Sequence, residues 1–347
     1  MKPVVTIILL YFLATTSCSK NDDALITEIP TTTIAKDVYT CGYESNGTRN
    51  VAKYWKNGTA INLSDGTRQA IAKSIVVSGD DVYVAGEEVN AAITHYIAKY
   101  WKNGTAITLT DGTKNAAATS ITIAGTDVYV AGGEINGLNI VAKYWKNGIP
   151  INLTDGSKNA IAYAIFLSGT DVYVAGFEYN GIKNIAKYWK NGTAVDLSNG
   201  TRESTARYIF VSGTDVYVAG NEFNAENTQP IAKYWKNGIA INLTDGTKNA
   251  AATSITIDGS GVYVAGAEFN GINRVAKYWK NGIPINLTDG SKNAIANSIV
   301  VSGTDVYATG YESNGSKHVA KYWKNGLVTN IVTDASLNSE TTSIFVK

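Results

Sequence analysis

Seven near-identical segments, each written as four short apolar strands between Gly-containing turns, predict an all-β chain: a seven-bladed β-propeller with four antiparallel strands per blade. Three observations carry this expectation. Trp recurs at 55, 101, 145, 189, 235, 279 and 323, at intervals of 46, 44, 44, 46, 44 and 44 residues. Each Trp stands in Ala-Lys-Tyr-Trp-Lys-Asn-Gly, and each has a Val-Tyr pair upstream, as in Asp81-Val82-Tyr83. No window holds ten or more residues at helical period, which excludes helical repeats.

The elements of one unit follow in order. Ser74 to Val77 reads as a first strand, closed by Ser78-Gly79-Asp80. Val82 to Gly86 is a second strand, and a loop leads to a third, Ile97 to Trp101. Lys102-Asn103-Gly104 is a tight turn, because Asn and Gly both accept positive φ. Thr105 to Leu109 is the fourth strand, and Thr110-Asp111-Gly112 ends the unit. The inner strands are apolar on consecutive residues, so both their faces must be covered, as stacked blades require. The first unit enters at its second strand, Asp37 to Gly42, and Ser343 to Val346 supplies one more first strand. Pairing the N- and C-terminal strands completes a blade, closes the ring and leaves no open edge. The propeller is therefore expected over residues 33–347. The interval sum 46, 44, 44 occurs twice, which reads as a copied three-blade block.

The N-terminus reads differently. Lys2, an apolar run from Val4 to Leu13 and the small residues to Ser17 form a secretory signal over residues 1–17. Its apolar run is too short to span a bilayer. Cys18 follows directly, and Ser19 to about Thr32 reads as a tether, giving a segment 18–32 of lipidated Cys and linker. Ala14 to Cys18 resembles the lipobox of bacterial lipoproteins, although Thr15 stands where Leu is usual. That resemblance implies lipidation of Cys18 and an outer-membrane, surface-exposed location with the membrane as partner.

Composition removes several function classes. Thirty basic and 29 acidic residues leave a net charge of +1, so there is no basic excess to neutralise a nucleic acid. Two Cys exclude a disulfide scaffold and a four-Cys zinc site. Two His make a catalytic or metal centre improbable, and no cofactor is expected. No Gly-x-Ser-x-Gly, His-Glu-x-x-His or phosphate loop occurs.

A strand ending in Gly, a loop, then Tyr and Trp in the third strand resemble a Kelch-type propeller. Two features depart from it: Gly-x-Glu (Gly86-Glu87-Glu88) stands where Kelch blades carry Gly-Gly, and Tyr and Trp are adjacent. The repeat is also similar to those of bacterial propeller lipoproteins. The resemblance implies the architecture and a binding role for a monomer, without a specific partner.

A residue present in every blade serves what every blade needs. On that argument the seven Trp fill gaps between outer strands of neighbouring blades, although an aromatic ring for sugars is the alternative. The seven Glu after the second strand and the seven Lys of the third strand make cross-strand pairs rather than a carboxylate ring. The Asp-Gly pairs, such as Asp111-Gly112, are turns and not calcium loops, since each holds one Asp. Cys41 stands where five of the other blades have Ala, so it is expected as a small buried thiol. His95 and His318 are placed in loops without a recurring carboxylate partner.

What varies between blades is expected on one face. The loop residues Asn90 to Tyr96 and Asn224 to Pro230 are two residues longer than their equivalents. Lys73, Thr119, Tyr163, Arg207, Thr253, Asn297 and Thr342, just before each first strand, are expected to ring the channel mouth. Lys73, Tyr163, Arg207 and Asn297 are candidate ligand contacts, with His95, Tyr96, Tyr179 and Tyr311 from the second-to-third-strand loops. The preferred reading is a non-enzymatic surface lipoprotein that binds a protein or glycan. The alternatives are a propeller hydrolase or lyase acting on extracellular glycan, and a structural spacer.

Overall fold

The computed structural model describes residues 36–347 except 260 and 332. The signal, Cys18 and the tether lie outside the described residues. The described chain holds 28 strands in seven four-stranded antiparallel sheets. The molecule is a seven-bladed β-propeller. Inner strands run Ser339–Val346, Ala70–Ser78, Ala116–Ala124, Ala160–Ser168, Ser204–Ser212, Ala250–Asp258 and Ala294–Ser302, in blades 1 to 7. Blade 2 continues through Asp81–Val89, Tyr96–Lys102 and Thr105–Thr108. Blade 1 is the composite: Ser339–Val346 pairs antiparallel with Val38–Ser45, and Asp37 and Lys347 exchange backbone hydrogen bonds.

The strands run longer than the sequence suggests, and the extra length has a cause. Each inner strand starts at the small residue four before the expected first residue, as Ala70 does before Ser74. A β-bulge then falls on the fourth residue, so that Ala72 and Ser74 pair across the sheet while Lys73 stands out of register. The same break brackets Thr119, Tyr163, Arg207, Thr253, Asn297 and Thr342. These seven residues therefore lie inside the inner strands, not before them. A bulge re-aims one side chain and brings backbone close to its neighbour. The invariant second-strand Gly receives that backbone. A Cβ on Gly86 would land on the Ile71 carbonyl oxygen, and the same holds at Gly42, Gly132, Gly176, Gly220, Gly266 and Gly310. Bulge and Gly are thus one device, repeated seven times.

The core lies between blades. Trp101 packs with Tyr39, Cys41 and Ala52 of blade 1 and with Ala72, Ile75 and Val84 of its own blade. All seven Trp are at most 1% exposed, which removes them as sugar platforms. They sit deeper than expected. The outer strands, such as Thr105–Thr108, are short and mostly exposed, and the indoles fill the space over the second and third strands.

The Glu–Lys pairs form in every blade. Lys99 meets Glu88 at 2.5 Å, Lys143 meets Glu134 at 2.6 Å, and Lys53 and Lys321 close on Glu44 and Glu312. Register makes the contact diagonal, because Glu88 faces Ile97 and Lys99 is two residues on. Each ammonium also stands over indole in blades 2 to 6, at 5.8 to 6.0 Å. The Asp-Gly turns close on themselves: Asp111 Oδ1 accepts from the Thr113 amide at 2.9 Å and hydroxyl at 2.7 Å. Cys41 is fully buried, and burial pushes its thiol up to about 12.

Candidate functional site

The seven bulge residues meet on the axis. They line a cavity of about 120 Å³ to which all seven inner strands contribute. The structure thus brings Lys73, Tyr163, Arg207 and Asn297 together, but gives them different work.

Four of the seven bulge residues hold adjacent inner strands together. Thr119 Oγ1 donates to Ala162 O at 2.7 Å, Thr253 Oγ1 to Ala296 O at 2.7 Å, and Thr342 Oγ1 to Ala72 O at 3.0 Å. Asn297 Nδ2 donates to Thr341 O at 2.8 Å. A second set of staples runs alongside, with Ser74, Ser120, Ser254 and Ser343 hydroxyls accepting from Ile121, Ile165, Ile299 and Ile75 amides. Lys73, Tyr163 and Arg207 staple nothing. Lys73 turns outward to Glu87 at 2.8 Å. The Arg207 guanidinium lies 5.8 Å from the Tyr163 ring centroid, and Tyr163 packs against Phe177 at 5.9 Å. Burial raises the Tyr163 hydroxyl above its usual range, against the pull of Arg207.

The other candidates are dispersed. His95 and Tyr96 line a separate cavity of about 430 Å³ with Ile93 and Val89 of blade 2. Tyr179 lines one of about 410 Å³ with Phe177 and Ile140. Tyr311 is 7% exposed and lies in a strand, Asp305–Ser313, rather than in a loop. Tyr43 and Tyr179 are likewise strand residues, because the second strands extend three residues past their Gly.

Two constellations were not visible in the sequence reading. His318 is the first residue of a strand, His318–Lys324, and it does have a carboxylate partner. Its Nδ1 lies 2.6 Å from Glu340 Oε1, and its ring stacks on Tyr311 at 4.0 Å. Tyr43 pairs across the sheet with Glu340, and burial first, then Glu340, push its hydroxyl well above its usual range. The partners are 22 residues apart and neither recurs, so no spacing could announce them. The signal available was that Glu340 replaces the uncharged Ile, Ala or Thr of the other blades at the position before the bulge pair.

The second is a cavity of about 410 Å³ over blades 5 to 7, walled by Arg207, Arg274, Asn249 and Asn297 and floored by Ala251, Thr253 and Ala267. Arg207 belongs to both this cavity and the axial one.

No family model matches the chain. No curated protein matches it either. Solved structures similar to it include two of Pyrococcus horikoshii acylaminoacyl peptidase, one an orthorhombic crystal form and one uncomplexed. Each is 12% identical, with a TM-score of 0.49, over 76% of this chain. The chain spans only 46% of the length of those two.

Proposed function

We propose that this chain is a lipid-anchored bacterial surface protein, of the Kelch-like propeller kind, whose variable face binds an extracellular glycan or protein without chemistry. One observation carries the reading. Blade-to-blade variation concentrates on the face that bears the second-to-third-strand loops, while the opposite face repeats one turn. There Asp81 accepts from Asn103 at 2.7 Å and pairs with Lys102 at 2.7 Å, and five other blades repeat the arrangement. Variation concentrated on one face, at positions such as Tyr163 and Arg207 that staple no strand, is what a binding role would leave.

A glycan hydrolase or lyase is the second reading, favoured by His318, Glu340, Tyr43 and Tyr311 on that same face. A His oriented by a carboxylate has the arrangement of a general base.

The test is an array of extracellular glycans and proteins, probed with the full chain and with an Arg207→Ala, Tyr163→Ala double variant. The reading expects at least one bound ligand, lost in the double variant. Undiminished binding by that variant, or turnover of any polysaccharide, would overturn it. Fatty-acid labelling of the wild-type but not the Cys18→Ala protein tests the anchor.

A further inference from the structure

We infer that the cavity over blade 6 is an oxyanion site, which takes the carboxylate, sulfate or phosphate group of an acidic saccharide. The inference deepens the binding role proposed above and rests on it for the saccharide.

Charge accounting is the first support. Third-strand Lys pair with Glu in all seven blades, turn Lys with Asp in six, and Lys73 with Glu87, while Lys280, opposite Gly261, stands over the Tyr263 ring instead. Arg207 and Arg274 have no carboxylate partner among the described residues, are both exposed, and wall one cavity that no acid lines. Two guanidiniums facing one space repel each other until an anion enters. Their planar donor forks fit a carboxylate, sulfate or phosphate.

The second support is independent and concerns one proline. In six blades a carboxamide or carboxylate oxygen accepts from the first amide of the third strand. Asn115 takes the Tyr96 amide at 2.8 Å, Asn159 that of Ile140 at 2.9 Å, and Asn293 that of Arg274 at 2.9 Å. Gln69, Glu203 and Asn338 do the same for Asn50, Asn184 and His318. The equivalent donor for Asn249 would be residue 230, which is Pro and has no N–H. Asn249, which lines the cavity, thus lacks the backbone amide that its counterparts hold, and its side chain is left able to meet a ligand.

The fold supplies its own comparison. Blade 3 has the same small floor, Ala117 and Gly133, and also forms a cavity, of about 140 Å³. Its walls are Ile135, Ile140, Ile161 and Tyr96, with Asn115 and the Glu87 carboxylate at its margin. The copied block thus kept the depression and changed the walls: isoleucines with one carboxylate and no cation at blade 3, two guanidiniums and no acid at blade 6. At about 410 Å³ the blade 6 cavity lies in the usual range for small-ligand sites, about 300–1,000 Å³.

Isothermal titration of the full chain with an oligogalacturonate, a heparin-derived sulfated oligosaccharide, a phosphorylated mannose oligosaccharide and a neutral cello-oligosaccharide tests this. At least one acidic ligand should bind, the neutral one at least tenfold more weakly, and added salt should weaken the acidic one. The three acidic arms tell carboxylate, sulfate and phosphate apart. Arg274→Gln should lose on the order of tenfold to a hundredfold in affinity. Pro230→Ala restores the amide, recaptures Asn249 and should lose several-fold, which a mere packing role would not predict. Lys158→Gln, which removes a charge from an exposed turn, should change nothing. Melting curves confirm that each variant folds. Failure of every acidic ligand, or unchanged binding by Arg274→Gln, overturns the inference. Binding of only the neutral ligand, lost in the Arg207→Ala, Tyr163→Ala variant, would end the oxyanion site while leaving the binding face intact.

Discussion

Ile93 shows how much a single backbone angle can say. Its φ is +58°, in the left-handed region, and its side chain is 59% exposed. A β-branched residue there is strained by roughly 1–2 kcal/mol. The equivalent loop of blade 5 has Asn227 at the same φ, a residue that tolerates it. Ile93→Asn should therefore raise stability by about 1 kcal/mol, read from urea denaturation, unless Ile93 contacts other than its own loop hold it. An unchanged or lowered midpoint would show that they do. Cys41 gives a second residue-scale expectation. With its thiol pushed up to about 12 by burial, it should resist a thiol reagent at pH 8 in the folded Cys18→Ser chain. Reaction should follow only on unfolding, and rapid labelling of the native protein would contradict the burial.

At the scale of elements, bulge and glycine act together. Gly176→Ala would drive a methyl group into the Ile161 carbonyl, and should cost about 3 kcal/mol of stability. The staples can be tested in the opposite direction. Blade 4 has Ala164 where four blades have a stapling Ser, so Ala164→Ser should hydrogen-bond the next inner strand and gain about 1 kcal/mol. Both effects are read from equilibrium unfolding; a neutral Gly176→Ala would mean that the bulge can relax. The turns on the opposite face set the acid response. Asp305 is held at about 2 by hydrogen bonds from Lys324 and Asn325, and its counterparts are lowered in the same way. A carboxylate depressed in the folded state stabilises it above the unfolded value of about 3.9. That contribution fades as the pH falls from about 4 to about 2, so the melting temperature should decline across that window.

These elements also mark what the sequence could and could not convey. Blade number, strand count and ring closure were legible, because Trp spacing and turn residues recur with each blade. The bulge was not, since a one-residue offset changes pairing without changing composition. Missing it placed Lys73 and its six counterparts before the inner strands instead of within them. It also hid the division between stapling Thr or Asn and the free Tyr163 and Arg207. Contacts between unlike blades, such as His318 with Glu340, leave no periodic trace; Arg274 stands in one blade alone, and Asn249 differs from its counterparts only through Pro230.

For the whole molecule, closure and asymmetry are the governing facts. Removing residues 339–347 would strip blade 1 of its inner strand and expose the edge of Val38–Ser45. That chain should lose cooperative unfolding, and retention of a single sharp transition would refute the need for closure. The asymmetry bears on function. A seven-fold scaffold keeps one face uniform and varies the other, and the account stands on the ligand meeting the varied face. Amide hydrogen exchange, with and without a bound ligand from the arrays, measures that directly. Slowed exchange should appear at the bulges near Tyr163, Arg207 and Asn297 and at the third-strand starts near Pro230 and Arg274. Protection confined to the Lys-Asn-Gly turns of the opposite face would contradict it.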